Sequence, residues 1–144
     1  RRHKFKNVAD VGAGSGILSF AAAKRWRIPV AGIDIDPVAA RFANDYARLN
    51  GVADLVKFTD GDGFNKPLLR RNAPYDLILA NILARPLKRL APDIRKYLKP
   101  GGRVVLAGLL DRQEHYVLTA YAAQGIRLEK RICLKEWTTL VLAG

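Results

Sequence analysis

The 144-residue chain contains no methionine, a single cysteine and only two histidines. Cys133 therefore cannot close an internal disulfide, and one cysteine with two histidines falls short of the usual zinc ligand set. No apolar run approaches the roughly 20 residues that span a bilayer, and no signal-peptide pattern opens the chain. These absences predict a cytoplasmic protein that works without a metal and outside the membrane. The missing methionine leads to the expectation that residue 1 is not a translation start. The first core strand follows almost at once, so the expectation is a domain trimmed from something longer. Acidic residues are also scarce, 13 against 25 Lys and Arg, which leaves a net charge of +12. Such a surplus favours acidic or nucleic-acid surroundings, or a partner domain of opposite charge. The basic residues are scattered over 1–6, 24–27, 70–71, 88–89, 95–103 and 130–135. No stretch interleaves aromatics with base-reading groups, so a solvated basic surface is the simpler reading. His3 and His115 read as surface residues, and Cys133 as a small hydrophobe in a strand.

What is present describes one globular domain: 49% hydrophobic and 26% charged residues, enough to bury about two-thirds of the unfolded surface. Strands are expected at 7–11, 29–34, 55–59, 75–80 and 103–107, with two more at 126–132 and 137–142. Helices are expected at 17–25, from 37 to 49, along 87–98 and from 111 to about 124. Asp36 followed by Pro37 reads as an N-cap and first helical residue. Val38, Phe42, Tyr46 and Leu49 then mark an apolar helical stripe, and Asn50-Gly51 a stop. Pro92 predicts a kink or restart in the helix after residue 87. Lys99-Pro100-Gly101-Gly102 reads as a turn, and Asp111 with Glu114 as a capping box. The alternation predicts an α/β fold: a seven-stranded, mostly parallel sheet with an antiparallel last strand and helices on both faces.

The organising stretch is the strand ending Asp10-Val11, the turn Gly12-Ala13-Gly14-Ser15-Gly16, and the Ala-rich helix behind it. Strand, glycine turn and helix in that order aim backbone N–H groups and a helix N-terminus at one spot. The spacing is G-x-G-x-G, not the G-x-G-x-x-G of dinucleotide folds, and no Lys-Ser/Thr pair marks a P-loop. About 20 residues on, the run 30–34 ends in Asp34, an acid at a strand tip that can accept both hydroxyls of a ribose. Together these resemble the glycine-rich motif and ribose-binding acid of Rossmann-like S-adenosylmethionine (AdoMet) methyltransferases.

That resemblance implies roles. Gly12, Gly14 and Gly16 would let the cofactor approach the backbone, and Asp34 would hold the ribose. Asp62, with Gly63, would meet the adenine edge, and Ile35 or Phe64 would pack on the ring. Asp10 would either orient the turn or contact the ligand ammonium. Each has a plainer reading: turn geometry for the glycines, a polar strand end for Asp34, turn-forming for Asp60 and Asp62. Asn81, at the end of the fourth strand, would bind cofactor and orient the methyl acceptor. An amine with pKa near 10.4 costs about 4–5 kcal/mol to hold neutral at pH 7, so the site must favour that form. Enzymes that methylate nucleobase amines usually place prolines and an aromatic after this residue as a platform for a flipped base. Here Ile82, Leu83 and Ala84 follow, which argues for an aliphatic amine.

A closer match emerges from Asp10-Val11-Gly12-Ala13-Gly14-Ser15-Gly16-Ile17-Leu18-Ser19, Gly32-Ile33-Asp34-Ile35-Asp36-Pro37, Ala80-Asn81-Ile82-Leu83-Ala84-Arg85-Pro86-Leu87, Leu98-Lys99-Pro100-Gly101-Gly102 and Glu136-Trp137. From about residue 7 to the end, the chain resembles the catalytic domain of the bacterial ribosomal protein L11 methyltransferases. The resemblance implies AdoMet-dependent methylation of lysine side chains and an N-terminal amine of a large-subunit ribosomal protein, with no metal. Two departures stand out. Ala13 occupies a position that is often Cys in the family, and the family's N-terminal substrate-recognition domain is absent from these residues. The substrate that the resemblance implies would be an RNA-binding protein and so itself basic, which would make recognition by the +12 surface alone repulsive; the other domain or ribosomal RNA would have to compensate. Two competing classes are a nucleic-acid-binding module, or RNA methyltransferase, on the same fold, and a nicotinamide-dependent oxidoreductase. The first rests on charge, and the second is weakened by the missing third glycine of its fingerprint.

Overall fold

The computed structural model describes residues 4–144; His3 and the first residues of the basic N-terminal segment lie outside them. Among the described residues, seven strands form one sheet in the order β3-β2-β1-β4-β5-β7-β6. They are β1 (Val8–Val11), β2 (Val30–Asp34), β3 (Val56–Asp60), β4 (Tyr75–Asn81), β5 (Leu98–Leu110), β6 (Arg127–Leu134) and β7 (Trp137–Ala143). The pairs β1–β2, β1–β4, β2–β3 and β4–β5 are parallel, whereas β7 runs antiparallel to both β5 and β6. The expected architecture is therefore present. Chain order reverses between β1 and β4, which opens a crevice beyond their carboxyl ends.

Five α-helices among the described residues connect the strands: α1 (Ile17–Trp26), α2 (Pro37–Leu49), α3 (Pro67–Asn72), α4 (Ala84–Tyr97) and α5 (Glu114–Ala123). Side-chain alternation along the strands builds a core on each face. Ala9, Val11, Ile33, Ile78, Ala80, Val104 and Leu106 meet α3, α4 and α5 on one face. Val8, Val30, Leu77 and Leu79 join Phe20, Ala23, Ala40 and Ala43 of α1 and α2 on the other. Among the described residues, no helix is long and apolar enough to cross a membrane.

Four local expectations need correction. First, α2 packs through its small side chains, Ala40, Ala43 and Ala47. The stripe of Val38, Phe42, Tyr46 and Leu49 faces outward, Leu49 being 81% exposed, because only alanines let the helix lie close against the sheet. Second, α4 starts at Ala84 and runs unbroken through Pro92; burial of Leu87, Leu90, Ala91 and Ile94 along one face outweighs the single lost backbone bond. Third, residues 99–102 belong to an extended β5, since the Gly101 amide donates to the Gly144 carbonyl and the Gly144 amide to Gly102, each at 3.0 Å. Fourth, Asp111 opens a 3-10 turn (Asp111–Gln113), and Oε1 of Gln113 accepts from the Leu110 amide at 2.9 Å. Glu114 turns instead to Arg131, with which it forms an ion pair. Cys133 is exposed on β6, with its sulfur 3.7 Å from Oγ1 of Thr138. His115 is exposed, as expected.

Candidate functional site

The glycine turn is stitched to β2 by its own backbone. The Gly12 and Ala13 amides both donate to the Ile33 carbonyl, at 2.8 and 3.0 Å, and the Gly16 amide returns to the Ala13 carbonyl at 2.9 Å. The Gly14 amide donates to Oδ2 of Asp34 at 2.8 Å. These amides are thus partnered within the fold and are not bare donors for an anion. What the glycines supply is conformation and space. All three have positive φ, +75°, +57° and +86° for Gly12, Gly14 and Gly16, a region costly for residues with a Cβ. A Cβ on Gly12 would overlap Cγ2 of Ile82, and one on Gly16 would lie 2.8 Å from the Phe20 and Phe58 rings. Gly16 is buried and caps α1, a place that serves the fold. Gly14 has open space where a Cβ would project.

Asp34 points back to the turn. Its Oδ1 accepts from the Asp36 amide at 2.9 Å while Oδ2 holds Gly14. Each oxygen keeps a second lone pair for a further donor. Asp36 caps α2, accepting from the Val38 amide at 2.9 Å. The loop after β3 is drawn to the same place, because the Gly61 amide donates to the Asp34 carbonyl at 2.8 Å. Phe64 anchors that loop from beneath. It is 3% exposed and stacks on Tyr97 with ring centroids 4.7 Å apart. It therefore belongs to the core and not to a cleft wall, whereas Ile35, the other apolar side chain expected beside the loop, is 75% exposed.

These features enclose a cleft of about 340 Å³ lined by Gly12, Asp34, Ile35, Asp62, Gly63, Asn81 and Ile82, with Leu83, Pro86 and Arg89 on its far wall. That volume suits a small-molecule ligand. Asn81 is exposed at the end of β4 and Asp62 is exposed in the loop after β3. Of the expected site residues, Gly12, Asp34, Ile35, Asp62, Gly63 and Asn81 meet in one cleft. Asp10, Gly14 and Gly16 are not on its lining.

Asp10 sits under the turn, 1% exposed. Its Oδ2 accepts from the Ser19 hydroxyl at 2.6 Å, and its Oδ1 has no partner. Burial pushes its carboxyl up to about 6; the Ser19 hydroxyl and amide pull the other way without prevailing, and the Asp34 charge adds a smaller upward push. Of its two expected roles, supporting the turn is the one this placement favours.

Two residues of the site escaped the sequence reading. Gly108, at φ +79° in β5, leaves the space in which Asn81 sits; a Cβ there would lie 2.8 Å from Oδ1 of Asn81 and 3.3 Å from the Ile82 carbonyl. An isolated glycine inside a strand was the available signal. Arg89 gave none, since its place on the cleft wall follows only from where α4 docks. A larger groove, about 590 Å³, lies on the other face of the sheet against Leu18, Trp26, Leu79, Val105 and Val141. Its polar groups include Arg103 and Glu129, which are paired with each other, and its lining contains neither Asp34 nor Asn81.

The strand order, the glycine turn and the acid at the tip of β2 define a Rossmann-like methyltransferase domain. Solved structures agree. A ribosomal protein L11 methylase from Lactobacillus delbrueckii subsp. bulgaricus superposes with a TM-score of 0.88 at 29% identity, over 97% of this chain and 70% of that one. An RNA methyltransferase from Salinibacter ruber, crystallised with S-adenosyl-L-homocysteine, shares the fold at a TM-score of 0.72 and 24% identity, covering 96% of this chain and 80% of its own. The family model for Ribosomal protein L11 methyltransferase (PrmA) matches residues 1–143, and the chain belongs to that family. Among curated relatives, the ribosomal protein L11 methyltransferase of Mesorhizobium japonicum is 45% identical over 142 residues, which is 99% of this chain and 49% of the relative. That of Rhizobium meliloti is 43% identical over the same span and shares. The chain thus spans about half the length of the curated relatives it matches.

Proposed function

We propose that residues 1–144 form the AdoMet-binding catalytic domain of an enzyme that methylates lysine and N-terminal amines of a large-subunit ribosomal protein, and that an N-terminal substrate-recognition domain completes it. The observation that carries this reading is the meeting of Gly12, Asp34, Asp62 and Asn81 around one cleft in a chain that belongs to the family. The residues fit the cofactor: Asp34 has spare acceptor capacity for a diol, Asp62 can accept from an amino group, Ile35 offers an apolar face, and Gly12 keeps the floor open. Bound there, AdoMet supplies a methyl group on a sulfonium.

The chain's part in the reaction is positioning. The acceptor nitrogen needs its lone pair free and in line with the methyl group. The Asn81 side-chain and backbone carbonyls can accept N–H bonds from a neutral amine and so orient it. Leu83, Ile82 and Pro86 give that end of the cleft an apolar lining, which disfavours the ammonium form. No aromatic follows Asn81, which supports an aliphatic amine over a flipped base. The +12 charge supports contact with ribosomal RNA near the substrate, and the cytoplasm is the proposed compartment. In the full-length protein, Asn81→Ala should lower turnover at least tenfold while leaving AdoMet affinity within a few fold; unchanged turnover would remove Asn81 from the mechanism.

A further inference from the structure

Helix α4 carries more charge than the fold or the cleft requires. Five of its 14 residues are cations, Arg85, Lys88, Arg89, Arg95 and Lys96, against the single acid Asp93. Its apolar side, Leu87, Leu90, Ala91 and Ile94, is buried in the core. Arg85, Arg89 and Lys96 are exposed, and the helical period sets them in one line on the outer side. None of the five cations forms an ion pair; every such pair among the described residues lies on other elements. Asp93 follows Arg89 by one helical turn and still does not join it. Asp62, which shares a small annex of the cleft with both, does not either. On α2, by contrast, Arg48 meets Asp45 at 3.0 Å.

The line begins at the cleft, whose wall includes Arg89, and runs from Arg85 to Lys96 over about 16 Å. Arg70 of α3 extends it. Phe64 stacks on Tyr97 at the end of α4, and Nε of Arg70 donates to the Phe64 carbonyl at 3.0 Å, which holds an exposed guanidinium beside that end. The tyrosine rings here already have partners. Phe64 and the Lys96 ammonium, at 5.3 Å, take Tyr97, and the Lys88 ammonium lies 4.1 Å from the Tyr116 ring centre. Bases therefore gain no free ring to stack on, whereas a chain of phosphates meets a row of guanidinium and ammonium donors.

Resting on the substrate reading above, we propose that the outer side of α4, from Arg85 to Lys96 and on to Arg70, docks the phosphate backbone of RNA without reading its bases. The proposed substrate binds RNA and is basic, so a surface of net charge +12 repels it. A strand of RNA laid along α4 replaces that repulsion with attraction on both sides. Phosphodiesters carry a charge at every residue, which matches an unbroken row better than the scattered carboxylates of an acidic protein. Because Arg89 and Asn81 line the same cleft, the docked strand lies beside the site of methyl transfer.

Fluorescence anisotropy of the 144-residue chain with a labelled oligouridylate of about 20 nucleotides, at salt from 50 to 200 mM, tests this. Four phosphate contacts predict a slope of log affinity against log salt of about −3. Arg85→Gln combined with Lys96→Gln should halve that slope and weaken binding at least tenfold at the lowest salt. Lys57→Gln combined with Lys130→Gln, on the edge strands β3 and β6, removes the same charge and should leave binding within about threefold. Circular dichroism and AdoMet binding check the fold of each variant. Protection of Lys96 from acetylation by the bound oligouridylate, read by mass spectrometry, carries the test if the α4 variant does not fold. No saturable binding, equal loss in the edge-strand variant, an unprotected Lys96, or equally tight binding of polyglutamate would overturn the proposal and leave the AdoMet reading intact. Failure of the unaltered chain to bind AdoMet would overturn that reading whatever the RNA result.

Discussion

Replacing Asp10 with Asn should stabilise the ligand-free fold at neutral pH, by an amount that the burial of its carboxyl sets. The folded protein holds the Asp10 proton until about pH 6, against an ordinary value of 3.8. Between those values the unfolded chain binds fewer protons than the folded one, so stability falls as pH rises. Below about pH 4 the cost is absent; above about pH 6 it is complete. At 1.36 kcal/mol per pKa unit the full effect is about 3 kcal/mol. Asn keeps an acceptor for the Ser19 hydroxyl and carries no charge to bury. Urea unfolding of both proteins between pH 4 and pH 7.5 isolates the effect as a difference, since the other groups cancel. The stability of Asp10→Asn relative to the native chain should rise by about 3 kcal/mol across that range. A flat difference, or one that grows in the opposite direction, would show that Asp10 is ionised without cost and would refute the argument from its unpartnered oxygen.

Asp34→Ala should weaken AdoMet binding at least tenfold in calorimetry. It should also cost about 1–3 kcal/mol of stability, because the Gly14 and Asp36 amides lose their acceptor. Gly12→Ala combines a strained φ of +75° with overlap on Ile82. It should destabilise the fold by about 1–3 kcal/mol in urea unfolding and weaken cofactor binding, whereas Ala at Gly14, where nothing lies within 4 Å, should meet backbone strain alone.

Much of this molecule is legible in short windows of sequence. The β1–turn–α1 unit, the Asp34 tip and the Asp36-Pro37 cap are each specified by a few adjacent residues, and all three stand where expected. What escaped depends on partners far along the chain. Periodicity shows that α2 has an apolar stripe, but not that its alanine edge is the one pressed on the sheet. The six-residue α3 is too short to show a period, and the lengthened β5 depends on pairing with Gly144, at the other end of the chain. In the candidate site, Asp34 and Asn81 were singled out because strand tips are where such folds bind ligands. Gly108 and Arg89 join them only through the docking of β5 and α4. Phe64 was misplaced for the converse reason: an aromatic beside a site loop looks like a ligand platform until the ring stack beneath it is seen.

The central claim, that the cleft at the β1–β4 switch point receives a sulfonium nucleoside and not a dinucleotide, is tested most directly by thermal unfolding of the 144-residue chain with AdoMet and, separately, with NAD. AdoMet at 100 times its dissociation constant should add about 2.7 kcal/mol and raise Tm by roughly 5–10 °C, with no response to NAD and a much smaller AdoMet shift in Asp34→Ala. A Tm that rises with NAD, or that ignores AdoMet at millimolar concentration, would contradict the account.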